Sequence, residues 1–231
     1  MSGNVEVFYA LDLDRTLLDT VALAETYREA VDIYDPVLAA LLREKVDESV
    51  RIEQSFSMRD FVVDQEGEPI AQIIERTFLE LASLKDGLLN PGAREILSYV
   101  AEDPNASAGI LTYGSILGQA TKIAAVGLGH IPHLITQQKH KGELISTWKQ
   151  ETGGYLLPQE LGGLATRELV FVDDKALSFQ GLPRDVVGYW IKGPYATGGD
   201  ILPSNVLPVA SLDEVYQSEL DRRSVISINK A

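Results

Sequence analysis

An α/β fold, a doubly wound parallel sheet with an all-α domain inserted after its first strand, is what the sequence predicts, and three observations carry the prediction. The run from Val5 to Leu11 is almost continuously apolar and rich in β-branched and aromatic residues, as a strand buried on both faces of a parallel sheet requires. From about residue 88 onward, short apolar runs alternate with helical periodicities, the pattern of successive βα units. Between Thr20 and Gly87 the periodicity is helical throughout. The expected organisation is therefore a core made of 1–19 and 88–231, with 20–87 as the inserted helical domain.

The elements follow in order. After the first strand, Leu23, Tyr27, Ala30, Val31 and Tyr34 recur at helical spacing until Asp35-Pro36 interrupts them. Val37, Leu38, Leu41, Leu42 and Val46 form a second stripe, and Ile70, Ile73, Ile74, Phe78 and Leu81 another. Phe61 to Val63 fits a short strand or a helix equally well. Asn90 is placed to cap a helix with Pro91 in its first position. A strand at Ala108 to Leu111 precedes a helix from Ile116 to Val126 that Gly127 closes. A short strand at His133 to Ile135 and a helix from Lys141 to Lys149 come next. Strands at Leu169 to Val172, Val186 to Ile191 and Val206 to Val209 complete the sheet. Ser211-Leu-Asp-Glu214 then forms a capping box for a last helix to about Leu220.

Composition excludes several functions. The 231 residues are 45% hydrophobic, enough for one core with a small accessory domain. Without cysteine there is no disulfide and no thiolate nucleophile or ligand. Thirty-four acids against 20 bases give a formal charge of −14, which argues against nucleic acid as a partner, because affinity for a phosphate backbone comes from Lys and Arg. No stretch has the length of apolar residues a membrane span needs, and no secretory signal opens the chain, so the expected location is cytoplasmic. Gly127-Leu-Gly129 and Gly193 to Gly199 match neither the dinucleotide fingerprint nor a phosphate loop. His130 and His133 flank a proline in a loop and lack metal-ligand spacing.

Charge collects where strands leave the sheet. Asp12 and Asp14 follow the first strand, at the carboxyl edge where open α/β sheets bind their ligands. Thr112, with Gly114 and Ser115 behind it, ends the second and offers a hydroxyl and backbone N–H groups to an anion. Lys141 opens a helix after the third, and Asp173-Asp174 ends another strongly apolar run.

In this order Asp12-Leu-Asp14-Arg-Thr16, Thr112, Lys141 and Asp173-Asp174 resemble the four signature motifs of the haloacid dehalogenase superfamily of phosphohydrolases, and the helical insertion resembles its small α-helical cap. The resemblance implies that Asp12 is a nucleophile forming an aspartyl-phosphate and Asp14 a general acid and base. It also implies that Thr112, Tyr113, Gly114 and Lys141 bind the substrate phosphate. Asp12, Asp14 through its carbonyl, Asp173 and Asp174 would hold Mg²⁺, the ion that an all-oxygen donor set suits. The expected partner is a small phosphorylated substrate, and Asp14 favours phosphate chemistry over dehalogenation. A non-catalytic binding protein and a phosphomutase of the same fold are the alternatives. Many members carry Gly where this chain has Arg15, which bears on the local loop shape. Lys139 competes with Lys141, which is preferred because a helix begins there. In the insertion, Arg28, Arg43, Arg51 and Arg59 are candidate substrate contacts.

Overall fold

The structure is a computed structural model that describes residues 4–51, 56–193 and 201–229. Six strands run parallel: β1 (Asn4–Leu11), β2 (Ala106–Tyr113), β3 (His133–Thr136), β5 (Ala165–Asp173), β6 (Val187–Ile191) and β7 (Val206–Val209). The two-residue β4 (Tyr155–Leu156) pairs antiparallel with the start of β5. The spatial order is β3-β2-β1-β5-β6-β7, so the chain builds outward from β1 in one direction and then returns to β1's other side. That reversal between β1 and β5 makes their carboxyl ends the crevice of the sheet.

Along β1 the side chains alternate between two apolar layers. Val7, Tyr9 and Leu11 pack on one face and Phe8 and Ala10 on the other, all buried. This explains the unbroken apolar run: a central parallel strand has no solvent face. The first face is covered by α5 (Ala93–Glu102) and α8 (Leu212–Asn229). The second is covered by α7 (Lys141–Ser146), Trp148 and the turn around Phe179.

Between β1 and α5, the described residues form α1 (Thr20–Tyr34), α2 (Pro36–Arg51), α3 (Met58–Glu66) and α4 (Glu68–Ser83). Asp19 caps α1 by accepting from the N–H groups of Val21 and Ala22, and Asp35 both ends α1 and caps α2. Leu23, Tyr27, Val31, Leu42, Ile74 and Phe78 are buried between these helices, in an apolar cluster continuous with that of the sheet. Phe61 to Val63 is helical, within α3.

Four expectations change. Asn90 does not cap a helix: α5 begins at Ala93 behind Gly92, whose φ of 83° suits glycine. A Cβ on Gly92 would lie 2.5 Å from the backbone nitrogen of Asp213, so the close seating of α5 on α8 requires its absence. Pro91 therefore lies in the preceding turn. The helix at Lys141 is shorter than expected and gives way to a turn after Ser146, while α8 runs on to Asn229. Most of Gly193 to Gly199 lies outside the described residues.

On the α8 side, away from the acids, the buried carboxylate of Glu219 accepts from Tyr9 and Tyr189, each at 2.8 Å, and from Arg222 at 2.9 and 2.8 Å. Arg222 also reaches Glu168 at 2.8 Å. With its lone pairs occupied, the buried charge is compensated, and burial followed by the Glu219 charge pushes both tyrosine hydroxyls to higher pKa. Removing one member of such a group leaves the others unpaired. Glu219→Ala is expected to cost about 3–5 kcal/mol in urea denaturation, and Glu219→Gln, which can still accept, should cost less.

Candidate active site

Asp12 is the first residue beyond β1, its N–H bonded to the carbonyl of Val172 at 2.9 Å. Asp173 ends β5 and Asp174 follows, so the pairing of β1 with β5 brings the three acids together. Among the described residues they form a candidate metal site, with ligand oxygens all within 4.8 Å of one another. Lys141, from the start of α7, is itself buried and inserts its ammonium between two of them, touching Asp12 and bonding Asp173 at 2.7 Å. Asp173 also accepts the N–H of Lys175 at 2.8 Å, and Trp190 Nε1 donates to the Asp174 carbonyl at 2.9 Å. Lys139 instead lies over the Tyr113 ring, 5.9 Å from its centroid.

One ammonium does not balance two buried carboxylates and a third, that of Asp174, which is half-buried beside them. Burial, only partly offset by Lys141, pushes Asp12 up to about 6, with the charge of Asp173 adding to it. Burial and the charges of Asp12 and Asp173 push Asp174 up to about 8. Asp174 Oδ1 is buried with no hydrogen-bond partner. An orphaned carboxylate oxygen beside two more acids, with no nitrogen or sulfur donor among the ligands, fits a small hard divalent cation such as Mg²⁺.

Asp14 has a different environment. Its carboxylate turns to α6 (Ile116–Ala125), where Lys122 bonds both oxygens at 2.8 and 2.9 Å and Gln119 Nε2 bonds one at 2.8 Å. Burial acts to raise its pKa, but the Lys122 ammonium and these hydrogen bonds prevail and hold it below the usual carboxylate range. The side chain is not part of the Asp12, Asp173 and Asp174 cluster.

The loop between Asp12 and α1 is held in an uncommon shape. Arg15 has φ 63°, in the left-handed region that costs a non-glycine residue about 1–2 kcal/mol. Its N–H donates to Thr20 Oγ1 at 2.9 Å. Asn90 Nδ2 contacts the carbonyls of Arg15, Thr16 and Leu18 at 3.0, 2.9 and 3.0 Å. The residue expected to cap α5 thus ties down the loop that carries Asp14.

Thr112 is buried at the end of β2, with Gln119 Nε2 3.1 Å from its hydroxyl oxygen. At Tyr113 and Gly114 the backbone is engaged by neighbouring groups. The Tyr113 carbonyl accepts from Gln119, and the Gly114 N–H donates to the Thr136 carbonyl at 3.2 Å. Of the arginines, Arg59 is buried in ion pairs with Glu68 and Glu75, Arg28 pairs with Glu25, and Arg43 and Arg51 are exposed. Sequence reasoning missed Gln119 and Lys122. The available signal was Gln119 one turn before Ile123 on the buried stripe of α6, a polar residue in an apolar position.

No protein-family model matches the chain, and no curated protein matches its sequence. Solved structures do match in shape. A haloacid dehalogenase-like hydrolase from Burkholderia xenovorans superposes with a TM-score of 0.62 at 19% identity, over 94% of this chain and 98% of that one. The HAD-hydrolase YfnB from Bacillus subtilis, solved bound to magnesium, gives 0.54 at 14% identity over 93% and 98%. CbbY from Rhodobacter sphaeroides, solved in complex with phosphate, gives 0.54 at 17% identity over 91% and 96%.

The raised carboxyls set a pH dependence for the metal-free protein. A group that binds its proton more tightly when folded stabilises most fully below its unfolded pKa, about 3.9 for Asp. That contribution is lost as pH climbs through the folded value. With EDTA present, stability is therefore expected to fall between pH 5 and 8.5, and Asp174→Asn should flatten the decline. Chemical denaturation across that range checks both.

Proposed function

We propose that this chain, which has the fold of the haloacid dehalogenase-like hydrolases, is a Mg²⁺-dependent phosphohydrolase acting on a small phosphorylated metabolite. The observation that carries the reading is the convergence of Asp12, Asp173, Asp174 and Lys141 at the β1/β5 crevice, with Thr112 at the end of the neighbouring strand β2. The magnesium and phosphate bound to YfnB and CbbY are compatible with it.

Asp12 is the nucleophile: its carboxylate attacks phosphorus, the ester oxygen leaves, and an aspartyl-phosphate remains for water to hydrolyse. Lys141 holds the carboxylate of Asp12 and supplies positive charge beside the transferring oxygens, and Thr112 offers them its hydroxyl. Asp14 protonates the leaving oxygen and later takes a proton from the attacking water. Asp12, Asp173, Asp174 and the Asp14 carbonyl are the groups that would hold Mg²⁺, which supplies charge neutralisation between an anionic nucleophile and an anionic substrate. The α1–α4 insertion acts as a cap, continuous with the core through buried contacts and through a 2.6 Å hydrogen bond from Thr121 to Glu75. Covering the crevice in this way excludes water from the reacting groups.

Asp12→Asn removes the nucleophile and keeps the side-chain volume. It is expected to abolish Mg²⁺-dependent phosphate release from p-nitrophenyl phosphate while preserving the circular dichroism spectrum. Unchanged turnover in that variant overturns the reading.

A further inference from the structure

The geometry points to Gln119 as the positioning residue of the site, acting with Lys122 to set the carboxylate of Asp14 and the hydroxyl of Thr112 before a substrate arrives. The inference rests on the phosphohydrolase reading for the identity of the groups being positioned.

Gln119 is 3% exposed, and its amide nitrogen meets three acceptors: Asp14 Oδ2 at 2.8 Å, the Tyr113 carbonyl at 2.8 Å and Thr112 Oγ1 at 3.1 Å. Three acceptors around one terminal atom fix the orientation of the amide, since the reversed amide would aim an oxygen at all of them. Because Thr112 Oγ1 receives a hydrogen bond, its own proton is available to a bound anion. A group on β2 and a group on the β1 loop are thereby referred to one side chain.

The arrangement is costly for stability. Gln119 Oε1 is buried with no partner, a desolvation loss that an apolar side chain would avoid. Gly114 is shaped around the same amide: a Cβ there would lie 3.0 Å from Gln119 Nε2 and 3.3 Å from its Cγ, and φ is 150°. The glycine that looked like an anion-binding residue therefore makes room for Gln119. Lys122, one turn along α6, completes the hold on Asp14 with its two bonds. Thr121, between them, bonds Glu75 of α4 and fixes α6 from the insertion side.

A carboxylate and a hydroxyl set to the transition state raise kcat, and ground-state binding depends on them less. Gln119→Met keeps the length of the side chain and removes the donor. Assayed on phosphate esters of graded leaving-group pKa with Mg²⁺, it is expected to lower kcat by about 100-fold with little change in KM. The loss should be larger for alkyl esters, which need a proton from Asp14, than for nitrophenyl esters. Gln119→Glu, closer in shape but placing an acceptor against three acceptors, should lose more at pH 8 than Gln119→Met. Lys122→Met should show the same leaving-group trend, and Lys122→Arg should recover most of the activity.

A kcat within about 3-fold of wild type for Gln119→Met overturns the inference, as does a milder defect for Gln119→Glu than for Gln119→Met. A loss equal across all leaving groups also overturns it, since that pattern marks a general structural defect. If wild type hydrolyses none of the esters, the phosphohydrolase reading fails separately. A crystal structure of Gln119→Met then decides: Asp14 and Thr112 unmoved overturns positioning, and the Asp14 carboxylate displaced from α6 supports it.

Discussion

The buried ammonium of Lys141 is the interaction on which the rest of the site depends. Asp12 and Asp173 are brought together by β1 and β5, two strands that pair through most of their length and leave their carboxylates no room to separate. In a region closed to solvent, like charges at this spacing cannot all remain ionised without a cation. Lys141 is held there by α7, whose Gly142 lets the helix approach the backbone of Phe179 and Gln180 so closely that a Cβ would reach 2.6 Å from a carbonyl oxygen. Close helix packing on one face of the sheet therefore controls charge at its edge.

Asp12, Asp14 and Asp174 fall into two electrostatic classes. Asp12 and Asp174 are pushed upward by burial and by mutual repulsion, whereas Asp14, only two residues from Asp12, is held down by Lys122. Residues of one chemical type thus acquire different proton affinities: burial and the neighbouring Asp173 outweigh Lys141 at Asp12, whereas Lys122 and Gln119 of α6 outweigh burial at Asp14. In the metal-free protein this order is the reverse of what an ionised nucleophile and a protonated acid need, so a cation beside Asp12 and an anionic substrate beside Asp14 would have to invert it.

Much of this was legible in the sequence, and the remainder was hidden for identifiable reasons. The apolar run of β1 and the alternation after residue 88 gave the sheet because burial on both faces leaves a period-free apolar signature. The acids at the strand ends stood out because charge directly after such runs is uncommon in a structural role. Asn90 was misread because a residue before Pro-Gly is equally suited to a cap and to binding distant carbonyls, and only the tertiary fold shows Arg15, Thr16 and Leu18 within its reach. Lys122 was overlooked because a lysine on a helix ordinarily marks a solvated face. Arg15 could not be assigned a left-handed backbone from its identity, since the hydrogen bonds that hold it there come from Thr20 and Asn90.

The central position of β1 has a consequence for synthesis of the chain. Phe8 pairs in register with Ser107 on one side and Leu169 on the other, so this central apolar strand leaves the ribosome long before either neighbour exists. Local helices such as α1–α4 form early, while long-range parallel pairing is intrinsically slow and leaves both edges of such a strand open to other chains. The interval before β5 is made is thus the period of greatest aggregation hazard. Chaperone demand and yield on expression should track how soon residues near 165–173 become available, and the acids of Asp12 and Asp173 meet only at the end of that interval.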